Sequence, residues 1–335
     1  MNESAEVIRW GVLGTARIAT KVGAAIRQAN GAELTAIASR DLSKAQAWAD
    51  EHGALRAYAS YEELLDDETI DVVYIPLPPA LHPEWTIKAA RLGKHVLCEK
   101  PLAPDAARAE EMADACAGAG VQLMDGVMWV HHPRAAALCA AVTDGRLGDL
   151  RRLTTAFTFS APNMPFTDLR MQREMGGGAL LDLGWYAVGL ALRVFGGLPE
   201  RVWGNATYRN DVDVNFSGMM WFPGDRVASF DCGFGTSMRR WMEVAGTEGS
   251  LVCDDYTRPW HEDDVHFWLN DGQGTSEKVT VEPALPIQEV WMVEEMCRIA
   301  RSGELDPGWP LCGVDVQRVC EVLDRSAREG TQITL

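Results

Sequence analysis

Apolar and polar positions fall into two regimes along this chain. Residues 8–13 are a mostly apolar run that passes through Gly14-Thr15-Ala16 into helically spaced apolar positions ending near residue 29. A second apolar run, 33–39, leads through Asp41-Leu42-Ser43 into a helix to about residue 52. A short strand at 56–59, a helix from Tyr61 and a β-branched strand at 71–77 follow, and Pro78-Pro79 ends that strand. The alternation continues with a helix at 81–92, a strand at 93–99, a helix at 105–119 and a strand at 121–128. Strands alternating with helices predict a parallel, doubly wound sheet.

The rhythm changes after His132-Pro133. A helix to about residue 143 and a strand at 153–159 precede irregular chain at 160–165, and a further helix opens at Gly176-Gly177-Gly178. Residues 201–281 read as successive strands separated by Pro223-Gly224-Asp225, Thr247-Glu248-Gly249 and Asn270-Asp271-Gly272, which predicts a largely antiparallel sheet. Two helices, 288–300 and 314–327, close the chain. The predicted fold class is therefore α/β: a Rossmann dinucleotide-binding domain at 1–128, then an α+β domain for substrate and oligomerisation at 129–335 with a largely antiparallel open sheet.

Composition narrows the function. A formal charge of −17 over 335 residues repels phosphate backbones, and the cations form no basic stripe, so nucleic acid is not an expected partner. No uninterrupted apolar run approaches the roughly 20 residues of a membrane span, and Met1-Asn2-Glu3-Ser4 lacks a basic, then apolar, leader. No membrane partner is expected, and the expected location is cytoplasmic. The eight cysteines form no CxxC pair and read as buried small hydrophobes in a reducing compartment. The histidines show no metal-ligand spacing, and no metal is expected.

Against that background, Glu99-Lys100-Pro101 stands out, because it puts an ammonium and a carboxylate at the end of an apolar strand, where ligands bind in α/β sheets. Gly11-Val12-Leu13-Gly14-Thr15-Ala16-Arg17-Ile18-Ala19 joins the first strand to the first helix. That context suits a dinucleotide fingerprint: small residues admit the pyrophosphate and helix N–H groups attract its charge. At the end of the second strand, where NAD binders place an acid, the chain has Ser39-Arg40. Arginine offers a fork of donors to a 2′-phosphate, which favours NADP and leaves NAD, through Asp41, as the alternative. Asp182 and Tyr186 lie one predicted helical turn apart, so a carboxylate and a phenol share a face. A phenol titrates near 10 when unperturbed; a neighbouring Lys100 ammonium would lower it toward useful acid/base chemistry.

These residues resemble the Gfo/Idh/MocA oxidoreductase family over nearly the whole chain. The resemblance runs through residues 10–19, Tyr74-Ile75-Pro76-Leu77-Pro78 with His82, residues 93–102 and Gly176-Gly177-Gly178-Ala179-Leu180-Leu181-Asp182-Leu183-Gly184. Tyr186, with Ser39-Arg40, is similar to the branch that holds glucose–fructose oxidoreductase, D-xylose dehydrogenase and dimeric dihydrodiol dehydrogenase. The resemblance implies an NADP-dependent oxidoreductase that moves a hydride to or from a secondary alcohol or carbonyl of a sugar, polyol or cyclic diol. It implies Tyr186 as general acid/base, Lys100 as its electrostatic partner and Asp182 as a third catalytic or substrate residue, with Trp129 and Arg170 beside the substrate. Gly11, Gly14, Thr15, Ala16, Arg17, Ile18, Ser39, Arg40, Leu77, Pro78, His82, Glu99 and Lys100 would contact the cofactor. The chain departs from several relatives at Val130, where they carry arginine. Similar proteins suggest a homodimer or homotetramer. Two other readings stand beside this one: an NADP-binding sensor without turnover, and a glycosidase that uses NAD transiently. The residues leave open the substrate, the direction of reaction and whether the Lys100–Pro101 bond is cis.

Overall fold

The computed structural model describes residues 7–282 and 287–335. The polar start Met1-Asn2-Glu3-Ser4 lies outside the described residues. The chain divides into two compact units, Met1–Met128 with Gln288–Val314, and Trp129–Ile287 with Asp315–Leu335.

In the first unit, strands β1 (Ile8–Leu13), β2 (Ala32–Ala38), β3 (Arg56–Tyr58), β4 (Val72–Ile75), β5 (His95–Cys98) and β6 (Leu123–Asp125) make one sheet among the described residues, ordered β3-β2-β1-β4-β5-β6. All five strand pairs are parallel, as crossover helices require. Helices α1 (Arg17–Gln28), α2 (Leu42–His52), α3 (Tyr61–Leu65), α4 (His82–Arg91) and α5 (Ala106–Ala119) supply those crossovers. Near-continuous apolar strands such as Val72–Ile75 are buried throughout, the signature of a sheet covered on both faces. The strand order reverses between β1 and β4, which makes the crevice beyond their carboxyl ends the switch point of the sheet.

The second unit adds α6 (Pro133–Thr143), the strand β7 (Leu150–Ser160), a π-helical turn at Leu180–Gly184 and α7 (Trp185–Phe195). Its sheet continues with β8 (Arg201–Arg209), β9 (Val212–Phe222), β10 (Arg226–Gly233), β11 (Gly235–Arg239), β12 (Met242–Gly246), β13 (Ser250–Cys253), β14 (His266–Asn270), β15 (Ser276–Thr280) and β16 (Ile333–Thr334). The order is β15-β14-β13-β12-β7-β10-β9-β8-β16, with β11 beside β7. Every pair is antiparallel except β10 with β7. The π turn and α7 pack on this sheet over β7 and β10. That explains an apolar 18-residue window within Arg173–Phe195: its mean hydropathy of 1.3 would suit a membrane span, but 67% of it is buried in the fold.

Two helices complete the chain, α8 (Gln288–Ser302) and α9 (Gly308–Glu329). The sequence division assigns all of 288–335 to the second domain, whereas Gln288–Val314 packs with the first unit. Helix α8 lies against α1. The Lys21 ammonium reaches the buried Glu289 carboxylate at 2.8 Å, and Glu294 Oε1 accepts from the Asn30 main-chain and side-chain amides at 2.9 and 2.7 Å.

Candidate active site

The cofactor side of the first unit is built from main chain. Gly14, directly after β1, has φ +106, a value that L side chains rarely adopt, and its N–H donates to the Ala38 carbonyl at 2.9 Å. A Cβ at Gly14 would stand 3.0 Å from Leu77 Cδ2 and 3.4 Å from the Tyr61 hydroxyl. Ala16 is the N-cap of α1 and supplies no side-chain acceptor, and the first turn carries no acid. The first amides there have no side-chain cap, and the helix dipole favours an anion beside them. Thr15, Ala16 and Ile18 are partly exposed and Arg17 is exposed. Gly11, also expected at the cofactor, lies inside β1, where a Cβ would press to 2.5 Å from Leu64 Cδ2.

At the end of β2, Ser39 is buried and its Oγ accepts from the Asp41 amide at 3.3 Å, while Arg40 is exposed. Asp41 is committed elsewhere. It caps α2, accepting from the Ser43 amide at 3.0 Å and the Ser43 hydroxyl at 2.6 Å, and these bonds lower its pKa. Arg40 instead faces the Tyr61 hydroxyl, which burial raises and the arginine partly lowers. Sequence reasoning does not single out Tyr61, although Ser60-Tyr61 marks a helix start: Ser60 Oγ accepts from Glu63 N at 3.1 Å.

After β4 and β5 the His82 ring lies between the two loops. Its Nε2 is 2.7 Å from the Leu77 carbonyl, and its Nδ1 is 3.1 and 3.2 Å from the Pro101 and Leu102 carbonyls. The ring is fully buried, and desolvation lowers its pKa. His82, expected at the cofactor, thus lies between the loops that carry Leu77-Pro78 and Glu99-Lys100, and a ring with one N–H donates to only one of them. Leu77 and Pro78 are partly exposed at their strand end. Glu99 is nearly buried: Oε1 accepts from the Tyr74 hydroxyl at 2.6 Å and Oε2 from the Lys100 amide at 3.3 Å. Burial and that carboxylate push the Tyr74 phenol well above its ordinary range. Glu99 thus steadies the strand end, Lys100 is half-buried, and the Lys100–Pro101 bond is cis.

In the second unit the glycine run folds a loop back on itself. The Gly178 amide donates to the Arg170 carbonyl and the Gly177 amide to the Gln172 carbonyl, both at 3.0 Å. A Cβ at Gly177 would meet the Leu169, Arg170 and Gln172 carbonyl oxygens at 2.6 to 2.8 Å. The fold brings Arg170 to Asp182: Nε donates to Oδ2 at 2.7 Å, and the Asp182 charge raises the arginine pKa. Asp168 Oδ1 fixes the loop by accepting from the Arg170 amide at 3.0 Å. Asp182 sits in the π turn, so the expected α-helical spacing to Tyr186 is interrupted by a wider turn of the kind often found at functional sites. The half-buried Tyr186 ring meets Phe157 edge-on at 5.2 Å. Trp129 is 4% exposed and packs edge-on against Tyr256 at 5.3 Å. Its partner's strand end is anchored by the buried Arg134–Asp255 pair at 2.5 Å.

Among the described residues no group of histidines, cysteines and acids could hold a metal. The turn at Gly14, the uncapped α1 terminus and the exposed Arg40 fit a phosphorylated dinucleotide.

Residues 8–127 match the model of an oxidoreductase family with an NAD-binding Rossmann fold, and residues 135–252 match the GFO/IDH/MocA C-terminal domain. D-xylose 1-dehydrogenase (NADP(+)) 2 of Haloferax volcanii is 36% identical over 332 residues, covering 97% of this chain and 99% of the relative. A solved aldose-aldose oxidoreductase from Caulobacter crescentus, complexed with glycerol, is 25% identical with a TM-score of 0.90, covering 98% of this chain and 100% of that one. A 3-ketoreductase from Actinomadura kijaniata, solved with NADP and TDP-benzene, is 28% identical with a TM-score of 0.88, covering 96% and 98%. With both domain models matched in order and full-length relatives above 30% identity, the chain belongs to the Gfo/Idh/MocA family of oxidoreductases.

Proposed function

We propose that the protein is an NADP-dependent oxidoreductase acting on a secondary alcohol or carbonyl of a sugar, polyol or cyclic diol. The observation that carries this reading is the anion cradle of the first unit. Gly14 at φ +106 opens onto a helix start with neither cap nor acid, and Arg40 stands exposed at the neighbouring strand end. The backbone around Gly14 to Ile18 would hold the pyrophosphate, and Arg40, faced by Tyr61, the 2′-phosphate. The nicotinamide, when bound, supplies or accepts the hydride.

The chain's own residues handle the proton and the orientation. Tyr186 gives or takes the proton at the substrate oxygen. Lys100 favours the phenolate and the developing charge on that oxygen. Arg170 holds Asp182 at 2.7 Å and so orients a carboxylate that would accept from a substrate hydroxyl. Support for the substrate class comes from relatives named for xylose, aldoses and a keto sugar nucleotide derivative. The reading extends to a reducing cytoplasmic setting, in keeping with eight free cysteines, and to a homodimer or homotetramer.

The test is pyridine-nucleotide absorbance with NADP and NAD across a panel of sugars, polyols and cyclic diols. Substrate-dependent reduction, faster with NADP, is expected. Tight NADPH binding without any change on the panel would favour a sensor, and aglycone release without net cofactor change a glycosidase.

A further inference from the structure

The segment that carries Asp182 and Tyr186 is held at its start by a side chain from elsewhere in the chain. Asp213, on β9, is 8% exposed, and its Oδ2 accepts from the Leu180 amide at 2.7 Å, with the Ala179 amide also directed at the carboxylate. Gly178 has φ +120, and a Cβ there would lie 2.1 Å from Asp213 Oδ1. The glycine is therefore required twice, by its backbone conformation and by the carboxylate pressed against it. The same Gly178 donates to the Arg170 carbonyl and accepts from the Asp182 amide, each at 3.0 Å. One buried carboxylate thus touches the residue through which both the Arg170 loop and the π turn are fixed.

We infer that Asp213 is a positioning residue: by accepting from the first amides of the π turn it sets the placement of Asp182 and Tyr186, without touching substrate or cofactor. This inference rests on the proposed roles of those two residues. A charged side chain in a buried strand position costs free energy unless bonded, so its presence needs a reason beyond packing. An ionised carboxylate accepts more strongly than a neutral acid, so proton occupancy at Asp213 bears on the turn. Burial raises its pKa from 3.8 to about 7. The groups facing it are Tyr208 on β8, Cys232 on β10, and Cys320 and Asp324 on α9. Asp324 is itself paired with Arg173 at 3.3 Å and Arg328 at 3.0 Å.

The test compares Asp213→Ala and Asp213→Asn with the parent enzyme, by kcat and KM across pH 6 to 8 and by amide hydrogen exchange of residues 178–186. Asp213→Ala should lower kcat about tenfold or more through misplacement, leave NADPH affinity intact and speed exchange in that segment. Asp213→Asn keeps an oxygen acceptor, so it should restore slow exchange and most of kcat while losing any kcat break near neutrality. A folded Asp213→Ala variant with parental kcat and parental exchange overturns the inference. Should Asp213→Ala fail to fold, parental kcat and parental exchange in Asp213→Ser, whose shorter side chain retreats from the Leu180 amide, overturn it equally. Hydrogen exchange needs no turnover, so it judges Asp213 even if Tyr186→Phe keeps full activity and the proposed function itself fails.

Discussion

The turn at Gly14 and the segment from Gly176 to Tyr186 both start a helix with glycine, but different forces hold them. At Gly14 the structure is almost entirely main chain: a positive φ, an amide on the Ala38 carbonyl and a helix terminus without a side-chain cap. In the second unit each functional group depends on another side chain, Asp182 on Arg170 and the turn itself on Asp213. The first arrangement suits a ligand part shared by every dinucleotide, a pyrophosphate recognised by backbone. The second suits a part that varies between substrates, because a side-chain network can be retuned one residue at a time.

Substituting the two glycines breaks the comparison most directly. Gly178→Ala introduces a Cβ at 2.1 Å from the buried Asp213 carboxylate and keeps an unfavourable φ. It should cost stability by about 1–3 kcal/mol or more in a denaturant melt and depress kcat, with NADPH affinity unchanged. Gly14→Ala meets Leu77 Cδ2 only at 3.0 Å but carries a similar φ penalty. Its loss should appear in cofactor affinity by fluorescence titration, for NADPH and NADH alike.

A smaller effect separates phosphate recognition from turn geometry. Arg40→Ala should weaken NADPH by about 1.5–3 kcal/mol, the range of a charged hydrogen bond, and leave NADH nearly unaltered. Asp41→Ala serves as the control: its carboxylate is bound to Ser43, so the NADPH to NADH ratio should stay constant.

A further effect is on stability against pH. Burial raises the Asp213 pKa from 3.8 to about 7, so the folded state holds a proton that the unfolded chain has released between those values. Its contribution is full below about pH 4 and is lost as pH rises through 7. Urea midpoints of Asp213→Asn should therefore fall less between pH 5 and 8 than those of the parent.

The sequence makes one of these regions far more legible than the other. Apolar runs punctuated by Gly14, Asp41 and Pro78-Pro79 specify parallel strands and their crossovers because period and punctuation are local properties. The Gly14 turn is legible for the same reason. His82 is not, since only the folded chain shows both ring nitrogens on carbonyls from two loops. The π turn escapes because a single widened turn leaves the apolar spacing of 180–195 helical. The placement of α8 with the first unit escapes because an apolar helix face does not name its partner; Lys21 and Asn30 supply that contact. Asp213 leaves a faint signal, an acid between two valines of a strand.

Under the proposed function Lys100 and Tyr186 serve the same proton transfer, which a double-mutant cycle tests. Tyr186→Phe and Lys100→Ala should each lower kcat by about 10²-fold or more, with NADPH still bound. The combined variant should lose little beyond the worse single change, since removing either part disables the same proton transfer. Losses that multiply across the two variants would make them independent contributors and overturn the shared role.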